Sequence, residues 1–151
     1  MKIALGADHG GAEQKEALRA YLEGEGRQVL DFGAPANGQS VDYPDYALSV
    51  ARAVAAGEAD CGILICGTGI GMAIAANKVC SVHAATVTDT NAARLSRQHN
   101  DANVLCLSGR FISPETNREI VDIFLSTDFE GGRHQRRIDK ITAAENRSDP
   151  L

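Results

Sequence analysis

The stretch Cys61-Gly62-Ile63-Leu64-Ile65-Cys66-Gly67-Thr68-Gly69-Ile70-Gly71-Met72 decides the fold. An apolar run of strand length carries Cys66 to a glycine-rich turn, and an amphipathic segment follows at once, so the spacing predicts strand, tight turn and helix. Gly67, Gly69 and Gly71 permit φ > 0 and close approach of a ligand to the backbone, and a helix start leaves N–H groups unpaired. Such a turn suits an anion or an oxyanion. A thiol beside such donors loses its proton more readily and can act as nucleophile or base; the competing reading of Cys66 is a buried strand cysteine with a packing role only.

Outward from this unit, apolar runs alternate with helical patterns along the whole chain. Strands are expected at Lys2–Ala7, Gln28–Phe32, Cys61–Cys66, Val82–Val87 and Val104–Leu107. Helices are expected at Gly11–Glu25, Tyr46–Ala56, Gly71–Lys78, Asn91–His99 and Pro114–Ser126, with Ala34–Ser40 as a loop rich in turn residues. Strands that alternate with helices require crossover connections. The expected fold is therefore α/β, a three-layer α/β/α Rossmann-like domain with a five-stranded parallel sheet and ligands at the carboxyl ends of its strands. Gly131–Glu145 reads as an extra charged C-terminal helix, and Asn146–Leu151 as a loose tail.

The 151 residues, 44% hydrophobic and 23% charged, suit one domain spanning 1–151 with a proper core. A formal charge of −5, three Tyr, four Phe and no Trp disfavour nucleic-acid binding. No run approaches the ~18 apolar residues of a membrane span, and the first apolar run is too short for a signal peptide, so a cytoplasmic protein is expected. Cys61, Cys66, Cys80 and Cys106 lack the paired short spacings of a metal knuckle. Neither a disulfide nor a metal site is expected from them.

The strand ends collect polar groups: Asp8 and His9 after the first strand, Cys66 to Gly71 after the third, Thr88 and Asp89 after the fourth, and Ser108, Gly109 and Arg110 after the fifth. Asp8-His9 also fits a plain turn and helix cap, and His99-Asn100-Asp101 fits a helix end, with His near the C-terminus and Asn as a left-handed cap. Arg133 and Arg137 lie four apart and share a helical face. Such a run is usually only solvated, yet two guanidinium forks are what a phosphate dianion requires. A nucleoside-triphosphate loop would need Gly-Lys-Ser/Thr where the chain has Gly71-Met72-Ala73. A dinucleotide fingerprint would need its third glycine one place later, although Asp89 imitates its ribose-binding acid. A nucleotide-binding regulatory domain is thus the rival from another class.

Several segments together resemble the ribose-5-phosphate isomerase B family, which includes galactose-6-phosphate and allose-6-phosphate isomerases. They are Gly6-Ala7-Asp8-His9-Gly10-Gly11, Asp42-Tyr43-Pro44, Ile65-Cys66-Gly67-Thr68-Gly69-Ile70-Gly71, Ala75-Ala76-Asn77-Lys78, Leu95-Ser96-Arg97-Gln98-His99-Asn100-Asp101 and Glu130-Gly131-Gly132-Arg133-His134. The resemblance implies a homodimer or a pair of dimers with shared active sites, and no metal or organic cofactor. It implies aldose–ketose isomerisation in the pentose phosphate pathway, typically of ribose 5-phosphate and ribulose 5-phosphate, through an enediolate. Cys66 is then the base. The other branch of the family carries a glutamate where this chain has Met72. By the same resemblance, backbone N–H groups from Gly67 through Thr68, Gly69 and Ile70 to Gly71 hold the enediolate oxygen, and the Thr68 side chain lies close by. His99 opens the sugar ring and Asp8 shuttles or orients hydroxyl protons. The phosphate maps onto His9, Arg133 and Arg137, with Asn100 and Arg110 in the binding set, some of them from a neighbouring subunit.

One departure stands out. Where many relatives read Gly-Ile-Arg-Ala before the fourth strand, the chain has Ser81-Val82-His83-Ala84. This leaves the chemical groups intact and opens the choice of substrate, with erythrose 4-phosphate, allose 6-phosphate and galactose 6-phosphate as alternatives to ribose 5-phosphate.

Overall fold

A computed structural model describes residues 1–145; the expected tail, Asn146–Leu151, lies outside the described residues. Strands β1 (Lys2–Ala7), β2 (Gln28–Asp31), β3 (Cys61–Cys66), β4 (Ala84–Thr86) and β5 (Val104–Ser108) form one parallel sheet in the order β2-β1-β3-β5-β4. Helices α1 (Ala12–Gly24), α2 (Tyr43–Ala55), α3 (Ile70–Ala76), α4 (Thr90–Gln98), α5 (Pro114–Ser126) and α6 (Arg133–Glu145) follow the strands in the expected alternation.

Strand order and handedness together assign the layers. The steps β1 to β2 and β4 to β5 run one way along the sheet, and β2 to β3 and β3 to β4 run the other. Right-handed crossovers must then put α1 and α4 on one face and α2 and α3 on the opposite face. The two cores agree. Leu18, Leu22, Ala93, Ile120 and Phe124 pack on Ile3, Leu5, Ile63, Ile65, Leu105 and Leu107, so α5 joins α1 and α4. Ala47, Val50, Val54, Met72 and Ala76 pack on Ala4, Leu64, Cys66, Val104 and Cys106. The period of two along β3 therefore turns Cys66 towards α2 and α3. From β1 the chain leaves to one side and from β3 to the other, so the crevice between their carboxyl ends is the topological switch point.

Element ends differ from expectation for local reasons. Helix α2 starts three residues early, because Pro44 in its first turn needs no N–H partner and Asp42 before it is extended. Strand β4 is shorter at both ends. At its entry, side chains replace the ladder: Asn103 Oδ1 accepts from His83 N–H at 2.8 Å and Asn77 Oδ1 from Ala84 N–H at 2.8 Å. Asp89 caps α4, its carboxylate accepting Ala92 N–H at 2.8 Å, which accounts for the acid that imitates a ribose ligand. The charge in α1 is not all solvated. Lys15 is fully buried, with Nζ 2.7 and 2.8 Å from the Asp31 carboxylate, and that carboxylate also accepts Gly33 N–H at 2.9 Å.

Candidate active site at two opposite edges of the sheet

Cys66 ends β3 with 5% of its surface exposed, and Gly69 N–H donates to its Sγ at 3.1 Å. Gly69 makes this contact in the left-handed region, φ 79°, at the start of α3. A side chain there would be strained and would sit 3.1 Å from the Leu107 carbonyl. Thr68 is exposed, and its Oγ1 accepts Ile70 N–H at 3.2 Å. Two of the five turn N–H groups expected to face a ligand are thus engaged inside the turn. Those of Gly67, Thr68 and Gly71 have no acceptor among the described residues. Tyr43 closes one side, since a methyl on Gly71 would meet its ring at 2.7 Å. Met72 is fully buried in the core.

The flanking loops converge on the same edge. Asp8 is buried and its Oδ1 accepts Gly10 N–H at 2.8 Å, so it shapes the tight turn after β1, while the α1 cap is Gly11. Exposed His9 accepts Val41 N–H through Nδ1 at 3.2 Å. After β5, Gly109 N–H donates to the Cys66 carbonyl at 2.7 Å and Arg110 N–H to the Gly67 carbonyl at 3.2 Å. A methyl on Gly67 would lie 3.4 Å from Arg110 Cζ, so the guanidinium lies across the glycine turn. Cys61 and Cys106 are the other buried thiols. Burial pushes Cys61 up to about 11 and Cys106 further still, so both stay protonated near neutral pH.

His99, Asn100, Arg133 and Arg137 are elsewhere. Helix α4 runs back from the carboxyl end of β4, so His99 at its C-terminus sits beside the amino end of β5. Glu130 N–H donates to the Gln98 carbonyl at 3.1 Å and brings the start of α6, with Arg133 and Arg137 exposed on it, to this same amino edge. The left-handed residue after α4 is Asp101, φ 44°, and not Asn100: Arg97 Nη1 binds its carboxylate at 2.9 Å and holds it there. Glu130 and His134, which were not among the expected site residues, join this cluster. Buried His134 stacks on His99 with ring centroids 4.2 Å apart and planes 11° apart, and its Nε2 lies 3.6 Å from Glu130 Oε2. Burial and the neighbouring His99 hold His134 below the usual histidine range. Donor atoms of His99, Glu130 and His134 lie within 4.8 Å of one another, but near-parallel rings direct their lone pairs side by side, so a shared metal would require one ring to turn.

Residues 3–141 match the ribose/galactose isomerase family. The chain belongs to that family. It is an aldose–ketose isomerase of the kind the sequence resemblance indicated. It is 49% identical to the ribose-5-phosphate isomerase B of Escherichia coli over 97% of both chains. The ribose-5-phosphate isomerase B structure from Clostridium thermocellum superposes with a TM-score of 0.94 at 49% identity, covering 96% of this chain and 97% of that one. The Mycoplasma genitalium enzyme with bound ribulose 5-phosphate gives 0.90 at 48% identity over 97% of each chain. A D-erythrulose-4-phosphate isomerase of Pectobacterium atrosepticum is 40% identical over 93% of both chains. Among the described residues this isomerase has no helix long and apolar enough to cross a membrane.

Proposed function

We propose that this isomerase interconverts ribose 5-phosphate and ribulose 5-phosphate through an enediolate, with Cys66 as the base. The observation that carries the reading is Cys66 Sγ at the switch point, receiving the Gly69 N–H at 3.1 Å, with a buried methionine in the position of the alternative carboxylate. The thiolate removes the C2 hydrogen of the open-chain aldose and returns it to C1, while the hydroxyl proton moves from O2 to O1. Negative charge that builds on oxygen meets the free N–H groups of Gly67, Thr68 and Gly71. Each such donor is worth ~2.7 to 4 kcal/mol of barrier. Asp8 orients the hydroxyl protons, and His9 and Arg110 take the phosphate together with Arg133 and Arg137. His99 exchanges the proton that opens the furanose ring.

The working enzyme is a homodimer in this proposal. The five residues of β5 alone span roughly 17 Å, so the Cys66 edge of one chain is completed by His99, Asn100, Arg133 and Arg137 of a second copy. The D-erythrulose-4-phosphate isomerase of Pectobacterium keeps a second substrate in view, with erythrose 4-phosphate as the aldose of that pair. Turnover of ribose 5-phosphate, erythrose 4-phosphate, allose 6-phosphate and galactose 6-phosphate at matched enzyme concentration should rank the pentose first, and a higher kcat/KM for any other overturns the assignment. Cys66→Ala should abolish turnover of the preferred substrate while binding persists; retained turnover removes Cys66 as the base.

A further inference from the structure

We infer that Gln14 and Asn117, far from each other in sequence, are positioning residues that hold Arg110 over the glycine turn. The inference rests on the reading of Arg110 as a phosphate ligand. Arg110 is exposed and sits in the connection between β5 and α5, where a chain segment is free to move unless tied. Gln14, from α1, donates through Nε2 to the Gly109 carbonyl at 3.0 Å and to the Ile112 carbonyl at 3.2 Å, on either side of Arg110. Asn117, 3% exposed on α5, donates through Nδ2 to Gln14 Oε1 at 2.8 Å and to the Ser108 carbonyl at 2.9 Å. Those donations fix which way both amides point. Turning the Asn117 amide would bring its oxygen against two acceptors, although its Oδ1 is buried without a partner as it stands. A packing role alone would be met by apolar side chains; a buried amide with one orphaned oxygen is explained by what its nitrogen holds.

A second set of bonds separates this clamp from the catalytic turn. Ser108 Oγ donates to the Gly67 carbonyl at 2.7 Å and accepts Phe111 N–H at 3.0 Å, and Gly109 N–H reaches the Cys66 carbonyl at 2.7 Å. These survive the loss of Gln14. Removing Gln14 therefore loosens the backbone that aims Arg110 and leaves the support of Cys66 in place.

The test uses the intact enzyme and compares Gln14→Ala, Arg110→Ala and the double variant. Gln14→Ala should raise KM for ribose 5-phosphate and the inhibition constant of inorganic phosphate together by about tenfold, with kcat changed less than about twofold, the signature of lost binding common to ground and transition states. On the Arg110→Ala background it should add almost nothing, because its effect passes through the missing guanidinium. Gln14→Glu, which keeps the acceptor for Asn117 and loses both donors to the loop, should be as harmful as Gln14→Ala. Hydrogen exchange at Arg110, whose peptide plane Gln14 holds through the Gly109 carbonyl, should quicken in Gln14→Ala while Gly109 and Phe111 keep their protection, a readout independent of activity. If Arg110→Ala moves neither constant, the phosphate reading falls and the clamp is judged by exchange alone. If Arg110→Ala moves both and Gln14→Ala adds its full factor on top, or exchange at Arg110 is unchanged, the clamp is overturned and the phosphate reading stands.

Discussion

An inactive chain, Cys66→Ala, and a weakened one, Arg137→Ala, should regain activity when their subunits exchange. Cys66 closes the carboxyl end of β3, whereas Arg137 lies on α6, whose start is tied to Gln98 at the amino edge. If a site needs one of each, every mixed dimer contains one site with both defects and one with neither. Random exchange of equal amounts makes half of the dimers mixed, so roughly one quarter of all sites, and of wild-type activity, should return in a two-fold dimer. The background is low enough to see this. Losing a hydrogen bond to a charged group costs ~1.5 to 3 kcal/mol, at least about a tenfold loss for Arg137→Ala at substrate well below KM. Activity would be followed on ribose 5-phosphate after exchange, with mixed dimers counted by native mass spectrometry. Abundant mixed dimers with no gain over the Arg137→Ala background would mean that both residues serve one site from one chain, and the division of the site between two edges would be refuted.

Iodoacetamide should inactivate through Cys66 with protection by sugar phosphate, because burial keeps Cys61 and Cys106 protonated; peptide mapping that places the inactivating label on Cys61, Cys80 or Cys106 contradicts this. His99→Asn should slow ribose 5-phosphate far more than open-chain ribulose 5-phosphate or erythrose 4-phosphate, and equal losses would move His99 to the enediolate step. Gly69→Ala forces a Cβ into a left-handed position 3.1 Å from the Leu107 carbonyl. It should cost about 2 kcal/mol, seen as a melting temperature lower by roughly 4 to 8 °C, and an unchanged value would contradict the strain. His134 binds its proton less readily folded than unfolded, so the unfolded chain takes up more protons as pH falls through about 6.5, and stability should decline over that interval. Denaturant midpoints at pH 7 and pH 5 should differ less in His134→Gln; an unaltered difference assigns the pH dependence to other groups.

The candidate site residues were legible in unequal degree. Cys66, the glycine turn and Asp8 are local to strand ends, and a strand end is readable from a period of two that stops at glycine or aspartate. Gln14 and Asn117 beneath Arg110 carry no such mark: each is an ordinary residue within a helix, and only packing brings it to the loop it serves; Tyr43 stands in a motif, but its place against Gly71 is not visible there. His134 stood in a motif, but its partner was not visible there, because stacking on His99 depends on how α6 returns past the end of α4. Lys15 lies among charged neighbours on α1, and its burial depends on Asp31 arriving on β2 beside it.

By itself the sequence determined the alternation of strands and helices, the parallel sheet, the thiol at the glycine turn and the family, because periodicity, turn chemistry and motif spacing act over a few residues. The tertiary structure alone decided the strand order, and with it the face each helix covers and the position of the switch point between β1 and β3. It also decided that Cys66 and His99 stand at opposite edges of one sheet. The physical reason is that a right-handed crossover returns the chain antiparallel to its strand, so residues at the end of a helix are carried the full length of the sheet from those at the end of a strand.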